Sequence, residues 1–308
     1  MTSPAQAHTP VMVEEVLHWW LSDPHGIYID GTIGLGGHSE ALLGKLAKDA
    51  TLLGIDADEN ALDATEQRLR NFPQNIFLIY SNFSHLAAIL RKQEVRDVDG
   101  ILLDLGLSSM QIDRPERGFS YTSEGPLDMR FSGLQDESAA KFVNTANQDD
   151  LIRVIKEYGE ERHAKTIAKS IMKYRPLSTT TDLREAIAAV TPERFMIKTL
   201  ARVFQAIRIH VNRELDVLKQ TLPSTLEFLK PGGRIVVIAY HSLEDRIVKQ
   251  FFKYAESDCI CPQELPQCVC DKEQELKILT KNIVTASDDE ISRNSRARSA
   301  KLRAAERV

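Results

Sequence analysis

The chain has 308 residues, of which 43% are hydrophobic and 27% are charged, a composition that is typical of globular proteins and excludes wholesale disorder or a fibrous repeat. Its net charge of -5 argues against nucleic-acid binding as a property of the whole surface, although a mean conceals local fields. No apolar stretch approaches the ~20 residues that a membrane span needs, and no secretory signal pattern is present, so we expect a cytoplasmic protein without a membrane partner.

The first hundred residues alternate between short apolar runs and helical patterns. The apolar runs end in acidic or turn residues, which is typical of buried strands, and they cover residues 27–30, 51–56, 76–80 and 100–104. Helical periodicity appears between them at 39–46 and 59–70. Strands that alternate with helices predict a parallel sheet in an α/β fold.

After Asp104 the pattern changes. A stretch rich in Gly, Ser and Pro leads into about 70 residues of helical periodicity that no strand-like run interrupts. Strand character returns at 234–240. We therefore predict a Rossmann-like α/β domain formed by residues 1–108 and 213–308, which an inserted all-helical domain splits at residues 109–212.

Two segments near the C-terminus are harder to interpret. Residues 276–286 predict one more strand or a hairpin. The tail from Ile291 holds six basic residues and one acid, a pattern typical of a solvated helix or a disordered end.

Basic residues are concentrated in the predicted insert. Between Leu151 and Arg213 there are 13 Lys or Arg against 6 Asp or Glu, a local net charge of +7. Such segregation produces a local positive field that suits nucleic-acid binding, with Arg202, Arg208 and Arg213 as candidate contacts. These arginines equally suit ion pairs with acids of their own domain.

The first predicted strand ends at Asp30 in a glycine-rich turn, GTIGLGGHS. Such a turn brings bare backbone and a helix N-terminus close to a ligand, although it also suits a merely tight connection. No Lys follows the glycines, which excludes a Walker phosphate loop.

Asp56 closes the second strand, twenty residues after Gly36. An acid at this position accepts both hydroxyls of an adenosine ribose in dinucleotide-binding folds. The competing interpretation is an N-cap for the helix that starts near Glu59.

Adenosine occurs in nicotinamide dinucleotides and in S-adenosylmethionine, so Asp56 does not choose between these cofactors. Asp30 and Asp104 distinguish the two cofactors. Carboxylates at the ends of two strands repel the pyrophosphate of a dinucleotide and attract the ammonium and sulfonium of S-adenosylmethionine. Ser39 also stands where the dinucleotide fingerprint has its third glycine. The sequence thus favours S-adenosylmethionine, with a nicotinamide-dependent dehydrogenase as the alternative.

Two further residues are candidates at the same edge of the sheet. Phe83, just past the third strand, is placed to lie against an adenine face, and Gln111 is placed to reach the crevice from the entrance of the insert. Core packing for Phe83 and a solvated loop for Gln111 are the competing interpretations.

Several long motifs together resemble the ribosomal RNA small subunit methyltransferase H family, over residues 8–307. They are, in chain order, YIDGTIGLGGHS, LLGIDAD, DGILLDLGLSSMQIDRPERGFSY, GPLDMR, YGEERHAKTIAKSI, FQAIRIHVNREL, YHSLEDRIVKQFF and SRARSAKLRAAER. The resemblance implies a Rossmann-like class I S-adenosylmethionine-dependent methyltransferase sheet with an inserted all-helical domain. It also implies methyl transfer from S-adenosylmethionine to the exocyclic N4 of a decoding-region cytidine in 16S rRNA. The partner it implies is therefore 16S rRNA in the small ribosomal subunit, and whether the chain forms a homodimer stays open.

The resemblance also implies which residues contact the cofactor and which domain binds the substrate. Substrate recognition is associated with the helical insert of the family, in agreement with the basic segment. The implied cofactor contacts are Gly36, Gly37, His38, Asp56, Phe83, Asp104 and Gln111.

One feature of many enzymes that methylate exocyclic amines is missing. They carry an Asn-Pro-Pro-Tyr motif after the fourth strand, whereas Asp104 is followed here by Leu105, Gly106, Leu107 and Ser108. The group that accepts a hydrogen bond from the reacting amine is consequently unassigned among Asp104, a backbone carbonyl near it, and His241.

A third interpretation of the chain is a non-enzymatic RNA-binding assembly factor, which the cofactor residues disfavour.

All four cysteines fall in one short segment, at 259, 261, 268 and 270. Their C-x-C, six residues, C-x-C spacing is compatible with a tetrahedral zinc, although the usual zinc knuckle is C-x2-C. The sequence favours reduced thiols in a surface loop and predicts no metal site.

Overall fold

A computed structural model of the chain describes residues 10–107, 114–132, 137–262 and 269–308. The chain divides into two compact units, an α/β unit formed by Met1–Gly106 and Asp216–Val308 and a helical unit formed by Leu107–Leu215. Within the described ranges, no helix is both long and apolar enough to cross a bilayer.

The α/β unit is built on a seven-stranded sheet with the order β3-β2-β1-β4-β5-β7-β6. The first five strands are parallel, and β7 is antiparallel to both β5 and β6. The sheet, with its strand order reversed between β1 and β4, confirms the predicted Rossmann-like α/β fold. The strands are β1 Ile27–Asp30, β2 Thr51–Asp56, β3 Asn75–Tyr80, β4 Val98–Asp104, β5 Leu229–Ala239, β6 Leu276–Ile278 and β7 Lys301–Arg307.

Helices cover both faces of this sheet and bury an apolar cluster on each. Val16, Leu42 and Leu69 belong to the cluster on one face, and Leu90, Leu222 and Phe252 belong to the cluster on the other. The helices that carry these residues or lie beside them are α1 Val13–Trp20, α2 Gly37–Leu43, α3 Glu59–Leu69, α4 Leu86–Lys92, α10 Glu214–Thr225, α11 Ser242–Glu256 and α12 Asp288–Arg293.

The register of the sheet places the ends of three neighbouring strands side by side. Asp30 pairs with Gly54 of β2 and with Leu102 of β4. Asp56 and Asp104 each lie two residues beyond those partners. Because the strand order reverses between β1 and β4, a ligand crevice is expected at this edge.

The C-terminal tail differs from its prediction. Lys301–Arg307 forms an interior strand of the sheet, paired on both sides, and Leu302, Ala304 and Ala305 are fully buried. Its Arg303 pairs with Asp245 at 2.7 Å. Lys, Leu, Arg and Ala are strong helix formers, but two open strand edges override that local preference. The predicted strand in 276–286 is confirmed only over 276–278, and Val284 adds an isolated bridge to Leu302.

The helical unit has its own core. Leu151, Ile171 and Val203 are buried in it, and Gly159 lies so close to the Arg202 carbonyl that a Cβ would come within 2.8 Å of that oxygen. In the described part of this unit, extended pairing is limited to the bridge between Pro126 and Thr179. Its helices are α5 Ala139–Thr145, α6 Gln148–Gly159, α7 Ala164–Lys173, α8 Thr180–Ala188 and α9 Met196–Asn212.

Candidate functional site

The turn after β1 is fixed to the strands on both sides. Gly31 donates its N–H to the Leu102 carbonyl of β4 at 2.9 Å, and Ile33 donates to the Ile55 carbonyl of β2 at 3.0 Å. Thr32 accepts a hydrogen bond from the Asp104 amide at 2.6 Å. These hydrogen bonds hold the turn against β2 and β4, at the edge of the sheet where a ligand is expected.

Two glycines of this turn are required by the protein's own packing. Gly36 has φ +74°, and a Cβ on it would lie 2.9 Å from the Thr65 methyl carbon. A Cβ on Gly37 would lie 2.8 Å from Pro10. A side chain at either position would push the turn away from α3 or from the N-terminal segment, so both glycines fix the shape of the site.

The Asp56 side chain binds the glycine turn and does not cap α3. Its Oδ2 accepts the Gly34 amide at 2.8 Å, and its Oδ1 accepts the Asp58 amide at 2.9 Å. The N-cap of α3 is Asp58, whose side chain accepts from the Asn60 amide. Burial raises the pKa of Asp56 to about 6. The N-cap interpretation of Asp56 is therefore wrong.

Asp30 is buried beneath the turn. Its Oδ2 accepts the Ser39 hydroxyl at 2.8 Å, and its Oδ1 accepts the Thr32 amide at 3.2 Å. Burial raises the pKa of Asp30 to about 6, although both hydrogen bonds and His38 oppose the shift. Asp30 thus ties β1 to α2, and its charge acts on the crevice as a field rather than by contact.

Asp104 is the more accessible acid, with 24% of its side chain exposed. The Tyr240 hydroxyl donates to its Oδ1 at 2.9 Å, and the His38 Nδ1 lies 3.7 Å from its Oδ2. Burial raises the pKa of Asp104, while His38 and the Tyr240 hydrogen bond lower it. The part of Asp104 that faces solvent is available to a cationic group.

One ring nitrogen of His38 is a hydrogen-bond donor. Its Nε2 lies 2.7 Å from the Val11 carbonyl, and because a carbonyl only accepts, Nε2 carries a proton. The Nδ1 then faces Asp104. His38 is buried, so it connects the N-terminal segment to the acid of β4.

Phe83 lies next to the turn. A Cβ on Gly31 would be 3.6 Å from the Phe83 Cβ, and the Phe83 carbonyl accepts the Thr221 hydroxyl at 3.4 Å. The ring is partly buried and packs on the apolar cluster beneath β1. Core packing therefore accounts for one side of Phe83, and a contact with adenine stays a prediction.

The two remaining candidates differ in outcome. His241 is the N-cap of α11, where its Nδ1 accepts the Glu244 amide at 3.3 Å and the Glu244 carboxylate accepts the His241 amide. That capping box gives His241 a structural role. Gln111 lies outside the described residues.

Sequence reasoning missed Tyr240 and Thr65. Tyr240 follows the last residue of β5, the strand beside β4, so it could have been found by applying to β5 the same strand-end rule that selected Asp104. Thr65, whose hydroxyl donates to the Gly34 carbonyl at 2.7 Å, lies in the middle of α3 and carries no local signal.

In the helical unit, two of the candidate RNA-binding arginines are paired with acids. Arg208 makes two hydrogen bonds to Glu214 at 2.8 and 2.9 Å, and Arg202 lies 3.3 Å from the buried Glu161. Those two arginines follow the ion-pair interpretation. Arg213 is exposed and ends α9 in the left-handed conformation.

A different set of cations forms a stripe on α7. Lys165, Lys169 and Lys173 are all exposed and recur every four residues, while Ala164, Ala168 and Ile171 face the core. Tyr174 follows the stripe with 43% of its surface exposed. Cations beside an exposed ring are the combination that binds phosphates and stacks bases.

Comparison with known proteins gives matches over essentially the whole chain. Residues 5–308 match the family described as the MraW methylase family. The protein named ribosomal RNA small subunit methyltransferase H of Caldicellulosiruptor saccharolyticus is 48% identical over 305 residues, which cover 98% of this chain and 99% of that protein.

Two further relatives carry the same name. The one from Dehalococcoides mccartyi is 48% identical over 302 residues, which cover 98% of this chain and 86% of that protein. The one from Syntrophotalea carbinolica is 45% identical over 314 residues, with 100% of both chains covered.

Proposed function

Because this chain belongs to the MraW methylase family, we propose that it transfers a methyl group from S-adenosylmethionine to the exocyclic N4 of a decoding-region cytidine in 16S rRNA. The observation that carries the proposal is the row of acids at the ends of β2, β1 and β4, beside a glycine turn that is hydrogen-bonded to β2 and β4. We place the reaction in the cytoplasm, on the small ribosomal subunit.

The adenosine end of this cofactor fits Asp56. Each Asp56 oxygen accepts one backbone amide, and a carboxylate has about four acceptor sites, so two remain for the ribose hydroxyls. The side chain is only partly buried, which leaves it open to a ligand. Phe83, beside the same turn, is the candidate to cover the adenine.

The cationic end fits Asp104 and Asp30. The exposed part of Asp104 would accept a hydrogen bond from the ammonium, and buried Asp30 adds negative charge that favours a sulfonium over a pyrophosphate. Gly36, Gly37 and His38 complete the wall on the α2 side. Gln111, a further contact implied by the family resemblance, lies outside the described residues.

When bound, the cofactor supplies an electrophilic methyl group on a positively charged sulfur. The cytidine N4 lone pair is conjugated into its ring, so the chain has to hold nitrogen, methyl and sulfur in line. A turn hydrogen-bonded to strands on both sides suits that task, because those bonds hold it against β2 and β4. The acceptor for the amine hydrogen is not among the assigned residues, and His241 is occupied by its capping box.

We assign RNA contact in the helical unit to the α7 stripe, Lys165, Lys169 and Lys173. Exposed lysines neutralise backbone phosphates without reading sequence. The paired Arg202 and Arg208 are less suited, since each would first have to leave a carboxylate.

The proposal is tested by methyl transfer from labelled S-adenosylmethionine to small subunits from cells that lack the enzyme. After digestion, mass analysis should find the label in N4-methylcytidine at a single position of 16S rRNA. Naked 16S rRNA as a second substrate shows whether the assembled subunit is required. Label on another atom or another RNA would refute the substrate assignment.

Binding is tested separately. S-adenosylmethionine and its demethylated product should raise the melting temperature, and NAD should not. Stabilisation by NAD alone would refute the cofactor assignment. Tight subunit binding without any methyl transfer would instead indicate an assembly factor.

A further inference from the structure

The three described cysteines converge at one point between α11 and β6. The sulfur atoms of Cys259, Cys261 and Cys270 all lie within 4.8 Å of one another, although Cys259 and Cys270 are separated by ten residues. Cys268 lies outside the described residues. This cluster is part of the α/β unit and takes no part in the crevice described above.

The distance between two of the sulfurs matches tetrahedral thiolate coordination. Zinc–sulfur bonds of about 2.3 Å in a tetrahedron put neighbouring sulfurs about 3.8 Å apart. The Cys259 and Cys270 sulfurs are 3.8 Å apart, which is too far for a disulfide between them.

Backbone amides point at the same sulfurs. Cys261 donates its N–H to the Cys259 sulfur, Ile260 donates to the Cys270 sulfur, and Val269 donates to the Cys261 sulfur, each at 3.4 Å. Amide donors stabilise sulfur in its thiolate form, which is the form that ligates a metal. They also fix the direction of each sulfur.

Apolar packing does not explain the placement of the described residues around the cluster. Ile260 and Val269 are 54% and 76% exposed, and the cysteines themselves are exposed or half-buried. The segment is tied down at its base, where Glu275 donates its amide to the Ala255 carbonyl at 2.8 Å. Beyond that base, ordering the chain costs conformational entropy that few buried contacts offset. A bound metal would offset it.

We propose that Cys259, Cys261 and Cys270 form a structural zinc site that closes the segment between α11 and β6. The three thiols bind as thiolates, releasing their protons to solvent. The site holds the segment in place and does not touch the methyl-transfer crevice. The proposal differs from the prediction from sequence, which favoured reduced surface thiols without a metal.

The first test is the metal content of the full chain prepared without a chelator. Mass spectrometry of the metal should find about one zinc per chain, and C259S and C270S should each retain less than a tenth of that. D258N removes an exposed acid from the same segment and should keep its zinc. Zinc below a tenth of an equivalent in the unmodified chain, or equal zinc in the serine variants, would overturn the proposal.

A second measurement uses the unmodified protein, so that misfolding of a variant cannot mislead. Hydrogen exchange at the amides of Ile260, Cys261 and Val269 should be slow with zinc bound and accelerate after chelation, while S-adenosylmethionine binding persists. Unchanged exchange after zinc removal would count against a structural role. An intact mass lower by two hydrogen atoms under non-reducing conditions would show a disulfide and also overturn the proposal.

Discussion

Tyr240 donates its hydroxyl proton to Asp104 across the ends of two neighbouring strands, at 2.9 Å. Burial raises the pKa of Tyr240 well above its ordinary value, so the hydroxyl remains a donor throughout the physiological range. Asp104 is thereby held in a fixed orientation with its remaining acceptor sites toward solvent. The orientation of Asp104, the acid assigned to the cofactor ammonium, thus depends on the aromatic residue that follows β5.

Replacing that hydroxyl should weaken cofactor binding. Y240F removes a hydrogen bond that lowers the Asp104 pKa, so we expect S-adenosylmethionine affinity to fall by about 1 kcal/mol, roughly fivefold. The loss of affinity in acid, where Asp104 becomes protonated, should also begin at a higher pH. Calorimetric titration across pH measures both effects. Y254F, at a tyrosine that is 53% exposed, is the matched control and should change neither. If Y240F lost affinity at the same pH as the unmodified protein, Tyr240 would not control the ionisation of Asp104.

Asp56 and the nearby Asp58 should separate binding from stability. D56N should lower cofactor affinity by about 1.5 to 3 kcal/mol, roughly tenfold to a hundredfold, because hydrogen bonds from the ribose to a charged acceptor are lost. D58N weakens the N-cap of α3 and should lower the melting temperature more than it lowers affinity. If D58N impaired binding as strongly as D56N, the ribose assignment of Asp56 would fail.

The raised pKa of Asp30 predicts the pH dependence of stability. Its pKa is 3.8 ordinarily and about 6 in the folded chain, so the folded state holds this proton more tightly than the unfolded state. Ionisation therefore destabilises the fold, with no effect at pH values below the ordinary pKa and the full effect above about 6. D30N should stabilise the cofactor-free protein by an amount that grows between those limits and then stays constant.

Asp182 predicts the opposite sign when the unfolding free energies of both variants are measured by urea titration across pH. Backbone hydrogen bonds lower its pKa, so its ionisation stabilises the fold above the ordinary pKa, and that contribution is lost as pH falls through the folded pKa. D182N should destabilise at neutral pH and become neutral in acid. The same pH trend in both variants would contradict the burial of Asp30.

Gly36 and Gly232 distinguish steric overlap from backbone strain. Both have positive φ, at +74° and +80°, but a Cβ on Gly232 meets nothing within 4 Å, whereas one on Gly36 meets Thr65. We expect G232A to cost about 1 to 2 kcal/mol of unfolding free energy. G36A should cost about 1 to 3 kcal/mol more. Adding T65S, which deletes the methyl and keeps the hydroxyl, should recover part of that excess; no recovery would place the clash elsewhere.

The α7 stripe should control the salt dependence of RNA binding. Changing Lys165, Lys169 and Lys173 to Gln should reduce the slope of log affinity against log salt by about 0.7 to 0.9 for each phosphate that is no longer neutralised. Cofactor affinity should stay constant, because these residues lie in the helical unit. R202Q is the comparison, since Arg202 is already paired with Glu161 and should change the slope little. An unchanged slope in the triple variant would assign RNA binding to another surface.

Much of the site was accessible to sequence reasoning because parallel strands carry their ligand-binding residues at one edge. Asp30, Asp56 and Asp104 each end a short apolar run. Hydrophobic periodicity and the positions of the strand ends were therefore enough to place these acids together. Their separate roles were not accessible. Asp30 is buried beneath the turn, bonded to Thr32 and Ser39, whereas Asp56 is only partly buried, and only the assembled structure reveals that difference.

The misassigned tail and the unassigned cysteines also have physical explanations. The tail was misassigned because Lys301–Arg307 is composed largely of helix formers, and only pairing on both sides makes it a strand. The cysteines were left without a metal because C-x-C spacing is unusual for zinc. Convergence of Cys259 and Cys270 depends on the path of the intervening chain, which spacing does not encode.

By itself, the sequence determined the alternation of strands and helices, the acids at the strand ends and the glycines that only a tight turn tolerates, because each depends on local backbone preference and burial period. The tertiary structure alone decided which neighbour each acid faces, why Gly36 admits no side chain, and where the tail pairs. Those features arise from contacts such as Tyr240 with Asp104 and Thr65 with Gly36, whose partners are far apart in the chain and meet only when the sheet is assembled.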